Sequence, residues 1–286
     1  MYRAKLGGLP IALYDRDLDG GSRSRLPEEL RVAIDGGELV LHYQPQLDLR
    51  TGDILAVEAL VRWPHPKLGL VAPLKFLPLA EDADLMGALT GWVLMQALEQ
   101  CAAWRAAGRR MTVSVNISAT NLLEAGFPER VPGLLESNDL PADALVLEIT
   151  ETSVIKEFDR SRHIIEELRA LGLVVSIDDF GTGFTSMAHL TSLAIRELKL
   201  DRTFISSLSN SENGRDLQLV RAAIDLGHSL GLRVVAEGIE DAVALKLLSG
   251  LGCDLAQGYR IGKPKPAHEL AFRSALAEAP ARALAS

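Results

Sequence analysis

The chain has 286 residues and a mass of 30.9 kDa, and 48% of it is hydrophobic, enough to fill the core of one large α/β domain. A net charge of −8 and a pI near 5.3 exclude a general affinity for nucleic acid or anionic lipid, both of which need a basic surface. The only cysteines, Cys101 and Cys253, lie far apart without ligand-like spacing, which excludes a disulfide framework or zinc finger and points to a reducing compartment, the cytoplasm.

Residues 1–25 read as a linker or the remnant of an upstream domain, because YDRDLDGGSRSR from Tyr14 to Arg25 is polar, glycine-containing and without apolar period. The domain proper is expected over 26–275. Ser24, Pro27 and the acidic pair Glu28 and Glu29 open a first helix, which Gly36-Gly37 stops. Eight apolar runs follow in order: LVLHYQPQL, ILAVEALVRW, MTVSVNIS, ALVLEIT, LVVSIDD, IRELKLD, LRVVAEG and CDLAQGY. Longer amphipathic segments separate most of them, and such alternation means a parallel sheet. DLRTGD, between the first two runs, is only a tight turn, so those strands are expected to be antiparallel. The predicted fold is a modified TIM (β/α)8 barrel with one antiparallel strand. The longest apolar stretch, Leu85 to Leu98, is too short to span a bilayer, and no signal peptide pattern opens the chain, so no direct membrane contact is expected. Residues 276–286 read as an alanine-rich tail.

The runs close at Gln44, Glu58, Asn116, Glu148, Asp178, Lys199, Glu237 and Gln257. In such a barrel the strands' carboxyl ends open onto one face, so these side chains would meet in a single bowl. Glu58, Asn116, Glu148 and Asp178 offer an all-oxygen ligand set suited to magnesium or manganese. Asp179, directly after Asp178, could reach a second ion, and Glu237 could bind that ion or act as base. Paired metals serve phosphodiester hydrolysis because they activate water and neutralise phosphoryl and leaving oxygens. Taken singly, each acid is more often the cap of the next helix. Collected in one barrel they would repel one another unless cations compensated them. Lys199 would point into the bowl, where nearby cations and burial would lower its pKa and make it a proton acceptor or water positioner; Asp201 could hold it or touch substrate. Arg62 is a candidate phosphate fork, with a surface arginine as the plain alternative. Trp63 is read as a core aromatic or a wall of the pocket. The six histidines show no metal-ligand spacing and are read as structural or surface residues.

In its ordered motifs the chain resembles the EAL domain family, phosphodiesterases that linearise the bacterial second messenger cyclic di-GMP. They are YQPQ at Tyr43, VEALVRW at Val57 with Glu58-Ala59-Leu60, NIS at Asn116, EITET at Glu148, DDFGTGF at Asp178, KLD at Lys199, AEGIE at Glu237 and QGY at Gln257. The resemblance implies two Mg²⁺ or Mn²⁺ ions per active site. Glu58, Asn116, Glu148 and Asp178 would hold the first, and Asp178, Asp179 and Glu237 the second. Lys199 would orient or deprotonate the attacking water, and in-line attack would give linear pGpG. It also implies that Glu151 tethers the DDFGTGF loop, that Gln44 and Gln257 line the ligand site, and that Arg62 and Asp201 contact ligand or fix neighbours. A homodimer formed through the region around that loop is implied as well. Phe184, Thr185 and Met187 depart from the family's usual tyrosine, serine and leucine without removing a ligand. The opening MYRAKLGGLPIALYD looks like the exit of a GGDEF diguanylate cyclase domain, which implies an upstream GGDEF or sensor domain in a longer parent protein. Two rival readings are a sensor that binds cyclic di-GMP without hydrolysis and a Schiff-base aldolase built on Lys199.

Overall fold

The computed structural model describes residues 25–182, 187–206, 208 and 214–272. The expected tail at 276–286, nearly all of the expected linker at 1–25, and Phe184 and Thr185 lie outside these residues.

The described residues form nine strands: β1 (Val40–Asp48), β2 (Ile54–His65), β3 (Gly69–Val71), β4 (Thr112–Asn116), β5 (Leu145–Thr150), β6 (Val174–Phe180), β7 (Glu197–Leu200), β8 (Arg233–Ala236) and β9 (Leu255–Gln257). They run in the order β1-β9-β8-β7-β6-β5-β4-β2-β3, and a β1–β2 pairing closes eight of them into a barrel. β1 is antiparallel to both β2 and β9, while the pairings from β2 through β4 around to β9 are all parallel. The barrel with one reversed strand, expected from DLRTGD, is thereby borne out. Asp48 Oδ1 makes that turn by accepting the amides of Arg50 and Thr51, each at 2.8 Å, and Gly52 takes the left-handed conformation that closes it.

The interior strands are apolar on both faces because helices cover the outside and side chains fill the centre. Leu145 to Ile149 of β5 are all buried. The covering helices are one-sided: in Phe158–Ala170, Ser161, Ile165 and Leu168 face inward, a spacing that marks one helical face. The stretch from Leu85 to Leu98 forms most of the helix Met86–Ala106, with Leu89, Val93, Ala97, Leu98 and Cys101 buried against the barrel. No described helix is long and apolar enough to cross a membrane.

Two readings of strand position change. β1 and β2 run past Gln44 and Glu58, as the full runs LVLHYQPQL and ILAVEALVRW do, so these two residues do not stand at strand ends, and β2 continues two residues beyond Trp63 to His65. The upper part of β2 rises past the end of β4 and pairs with β3 through Trp63–Val71 and His65–Gly69. Glu58, opposite Ser114 in β4, therefore lies inside the barrel, one layer below Asn116. Trp63 is 2% exposed and packs edge-on against His65 and Phe76, so it belongs to the core beneath this hairpin and not to a pocket wall.

Candidate metal and phosphodiester site

Lys199, fully buried at the third position of β7, stands at the centre of the bowl. Its Nζ lies 2.7 Å from Glu148 Oε2, 2.7 Å from Glu237 Oε1, 3.5 Å from Asp178 Oδ1 and 3.8 Å from Glu58 Oε2. The four carboxylates come from β5, the residue after β8, β6 and β2, and each is at most 3% exposed. Burial pulls the Lys199 ammonium toward deprotonation, but Asp178, Glu148, Glu237 and Glu58 together hold it well above the ordinary lysine value. The lowered pKa expected from the sequence supposed bound cations; among the protein's own groups the four anions outweigh burial. A protonated, ion-paired amine is also no nucleophile, which removes the support for the aldolase reading.

Asp178 and Asp179 owe their joint presence at the site to a defect in the strand. Consecutive side chains of a regular strand point to opposite faces. Here the β6–β7 register shifts between Ile177 and Phe180, and Asp179 adopts φ of 56°, a left-handed conformation disfavoured for a residue with a side chain. One ligand oxygen each from Asp178, Asp179 and Glu237 can then lie within 4.8 Å of one another. Asp178 Oδ1 is buried, has no hydrogen-bond partner among the described residues and meets the Lys199 ammonium only at 3.5 Å, which leaves it able to accept a further cation. The donors are oxygen throughout, so the set fits a hard divalent ion.

The remaining residues flank this centre. Asn116 Nδ2 donates to Glu58 Oε1 at 2.8 Å, which fixes the amide with its oxygen free to turn elsewhere. Gln257 Nε2 donates to Glu58 Oε2 at 2.5 Å and to Gln44 Oε1 at 3.1 Å. Glu151, 3% exposed at the start of the helix Glu151–Lys156, accepts the Gly181 amide at 2.9 Å through Oε2 and so ties the beginning of the loop after β6. Met187, where that loop re-enters the described chain, opens the helix Met187–Ser192 and is 61% exposed. Asp201 does not pair with Lys199: its Oδ1 caps the helix Arg202–Ile205 by accepting the Thr203 amide at 2.8 Å, while buried Oδ2 has no described partner. Arg62 is half-buried; burial lowers its pKa, Glu58 and Tyr259 counter that, and its Nη1 donates to the Val61 carbonyl at 2.8 Å. The residue that motif reading passed over is Gln46. It is 1% exposed and donates to Gln257 Oε1 at 2.9 Å. Its two-residue spacing from Gln44 was the available signal, because alternate residues of a strand share a face.

Barrel and site together define a class: a (β/α)8 barrel with one reversed strand, whose buried carboxylates are arranged for hard divalent cations. Residues 27–264 match the EAL domain family, and the chain belongs to that family. It is 38% identical over 274 residues to the bifunctional diguanylate cyclase/cyclic di-GMP phosphodiesterase MucR of Pseudomonas aeruginosa, covering 94% of this chain and 40% of MucR. It is 41% identical over 243 residues to the cyclic di-GMP phosphodiesterase NbdA of the same organism, covering 85% of this chain and 31% of NbdA. The chain thus spans well under half the length of these relatives. A solved structure described as the PaMucR phosphodiesterase in complex with c-di-GMP superimposes with a TM-score of 0.81 at 40% identity, over 86% of this chain and 100% of that one.

Proposed function

We propose that this chain is a divalent-metal-dependent phosphodiesterase that opens one 3′ phosphodiester of cyclic di-GMP to give linear pGpG. The observation that carries the reading is the convergence of Glu58, Glu148, Asp178 and Glu237 on one buried point, with Asp179 drawn in by the bulge. Its likeness to relatives named as cyclic di-GMP phosphodiesterases supplies the substrate.

Glu58, Asn116, Glu148 and Asp178 would hold one Mg²⁺ or Mn²⁺, and Asp178, Asp179 and Glu237 a second. When bound, such ions acidify the attacking water and neutralise charge on the phosphoryl and leaving oxygens. Lys199, with Nζ between Glu148 and Glu237, would orient the attacking water by hydrogen bonds or take up its proton once metal engages those carboxylates. Glu237, beside both Lys199 and the Asp178–Asp179 pair, is the carboxylate placed to bind metal or take up the water's proton. Gln44 and Gln257 would line the ligand site, Gln257 also holding Glu58 by a hydrogen bond, Arg62 supplies a guanidinium near Glu58 for a phosphate, and Asp201 contacts ligand through Oδ2 or fixes its neighbours. Glu151 holds the loop that carries Asp179.

By the same likeness we propose a barrel domain over 26–275, a homodimer, a cytoplasmic location, and an upstream GGDEF or sensor domain in the parent protein. Incubation of purified protein with cyclic di-GMP and Mg²⁺ or Mn²⁺, followed by chromatography, tests the activity. Formation of pGpG is expected; tight cyclic di-GMP binding without product at high enzyme concentration would replace catalysis with sensing.

A further inference from the structure

We propose that Gln46 is a positioning residue for Glu58, acting through the orientation of the Gln257 side-chain amide. The inference rests on the reading of Glu58 as a metal ligand and extends it to a residue outside the ligand set.

The hydrogen bonds fix the direction of every amide in the chain. Glu58 is a carboxylate and only accepts, so the group that Gln257 presents to Oε2 at 2.5 Å is its NH₂. The second proton of that NH₂ goes to Gln44 Oε1 at 3.1 Å, which leaves the Gln44 NH₂ to meet the Gly262 carbonyl at 3.2 Å, again a pure acceptor. Both ends therefore demand the same polarity. With its NH₂ committed, Gln257 turns Oε1 toward Gln46, which donates to it at 2.9 Å. Gln46 and Gln257 face each other in the β1–β9 register, and both are at most 2% exposed, so solvent does not substitute for the missing donor. Glu58 and Gln44 set which end of the Gln257 amide faces them, but Gln46 is the donor that holds the other end, so without its N–H the amide is restrained from one side only and its placement against Glu58 slackens. The fold has made room for this relay: a Cβ on Gly262 would meet Pro45 Cγ at 2.6 Å, so only glycine lets that carbonyl approach Gln44.

Groups that orient metal ligands typically change metal affinity by 10–100-fold when removed. The test is a double-mutant cycle on Mn²⁺ affinity, measured by titration calorimetry without substrate, with Gln46→Met, Gln257→Met and the double variant. Methionine conserves volume and removes the donor. Gln46→Met is expected to weaken Mn²⁺ binding by about tenfold in the wild-type background and to have no further effect in the Gln257→Met background. A merely space-filling Gln46 would give additive effects, or none, and either outcome overturns the proposal. Should Gln46→Met fold poorly by circular dichroism, Gln46→Asn, which withdraws the same donor by one methylene, replaces it in the cycle with the same two outcomes. Glu58→Gln separates the two inferences. If wild type binds Mn²⁺ and Glu58→Gln does not, while the cycle is additive, only the Gln46 role falls. If Glu58→Gln binds like wild type, the ligand reading itself falls.

Discussion

Among the described residues Lys199 is the one ammonium set between four buried carboxylates, so its removal should make the metal-free barrel unstable and should do so much less once metal is present. The substitution is Lys199→Met, which keeps the length and most of the volume and should cost under about 1.5 kcal/mol in packing. Two ion pairs at 2.7 Å and two looser ones at 3.5 and 3.8 Å disappear, leaving Glu148, Glu237, Asp178 and Glu58 to repel one another at near-zero exposure. Removing one partner of a buried charge pair costs about 3–5 kcal/mol, and that range is expected for urea unfolding in EDTA. Saturating Mg²⁺ binds only the folded site and stabilises by about 2.7 kcal/mol at a hundredfold excess over its dissociation constant. It replaces the lost cation in the variant, whereas in wild type it meets a resident ammonium, so the gap between the two proteins should at least halve. Equal gaps with and without Mg²⁺ would refute the reasoning, as would a loss under about 1 kcal/mol in EDTA, because either would mean that Lys199 is not the site's counter-charge.

Other consequences are as direct. Glu58→Ala removes a proposed ligand together with the acceptor of Asn116 and Gln257, and cyclic di-GMP turnover should fall below detection by chromatography. Glu151→Ala frees the Gly181 amide; a loss of about 1–2 kcal/mol of local stability should appear as faster amide exchange at Gly181 and lower turnover, with global unfolding little changed. Gly258→Ala would place a Cβ 2.2 Å from the backbone N and O of Ile239, so the β9 end must shift, and a drop of about 3 kcal/mol in urea unfolding is expected. Burial pushes the Cys101 thiol up to about 11 and the Cys253 thiol up to about 12. At pH 8 only about one part in a thousand or less is thiolate, and the rate of reaction with a disulfide reagent should rise with pH and jump on unfolding. Rapid labelling of native protein at pH 8 would contradict the burial of both.

The barrel and its reversed strand were legible because their signals are local: apolar runs spaced by amphipathic segments, and an Asp48-Gly52 turn too short for a crossover. The convergence of Glu148, Asp178, Lys199 and Glu237 was legible because the ends of parallel barrel strands meet on one face whatever the intervening sequence. What was not legible depends on register and distance. The run ILAVEALVRW already passes Glu58, but nothing in it says that its last residues leave the barrel for a hairpin with β3, since an apolar run looks the same inside the barrel and above it. The adjacency of Asp178 and Asp179 was visible, but two consecutive acids in a strand should face opposite ways; only the register shift and the left-handed Asp179 let both serve one centre. Lys199 makes the point most sharply. Its sign of pKa shift is a contest between desolvation, which the apolar run foretold, and four charges whose distances no spacing in the sequence encodes. Among the protein's own groups the anions win, but metal held by Glu58, Glu148, Asp178 and Glu237 would take up the negative charge that keeps this proton in place, so the charge state of Lys199 is tied to metal loading, and the paired unfolding measurements in EDTA and in Mg²⁺ read that tie directly.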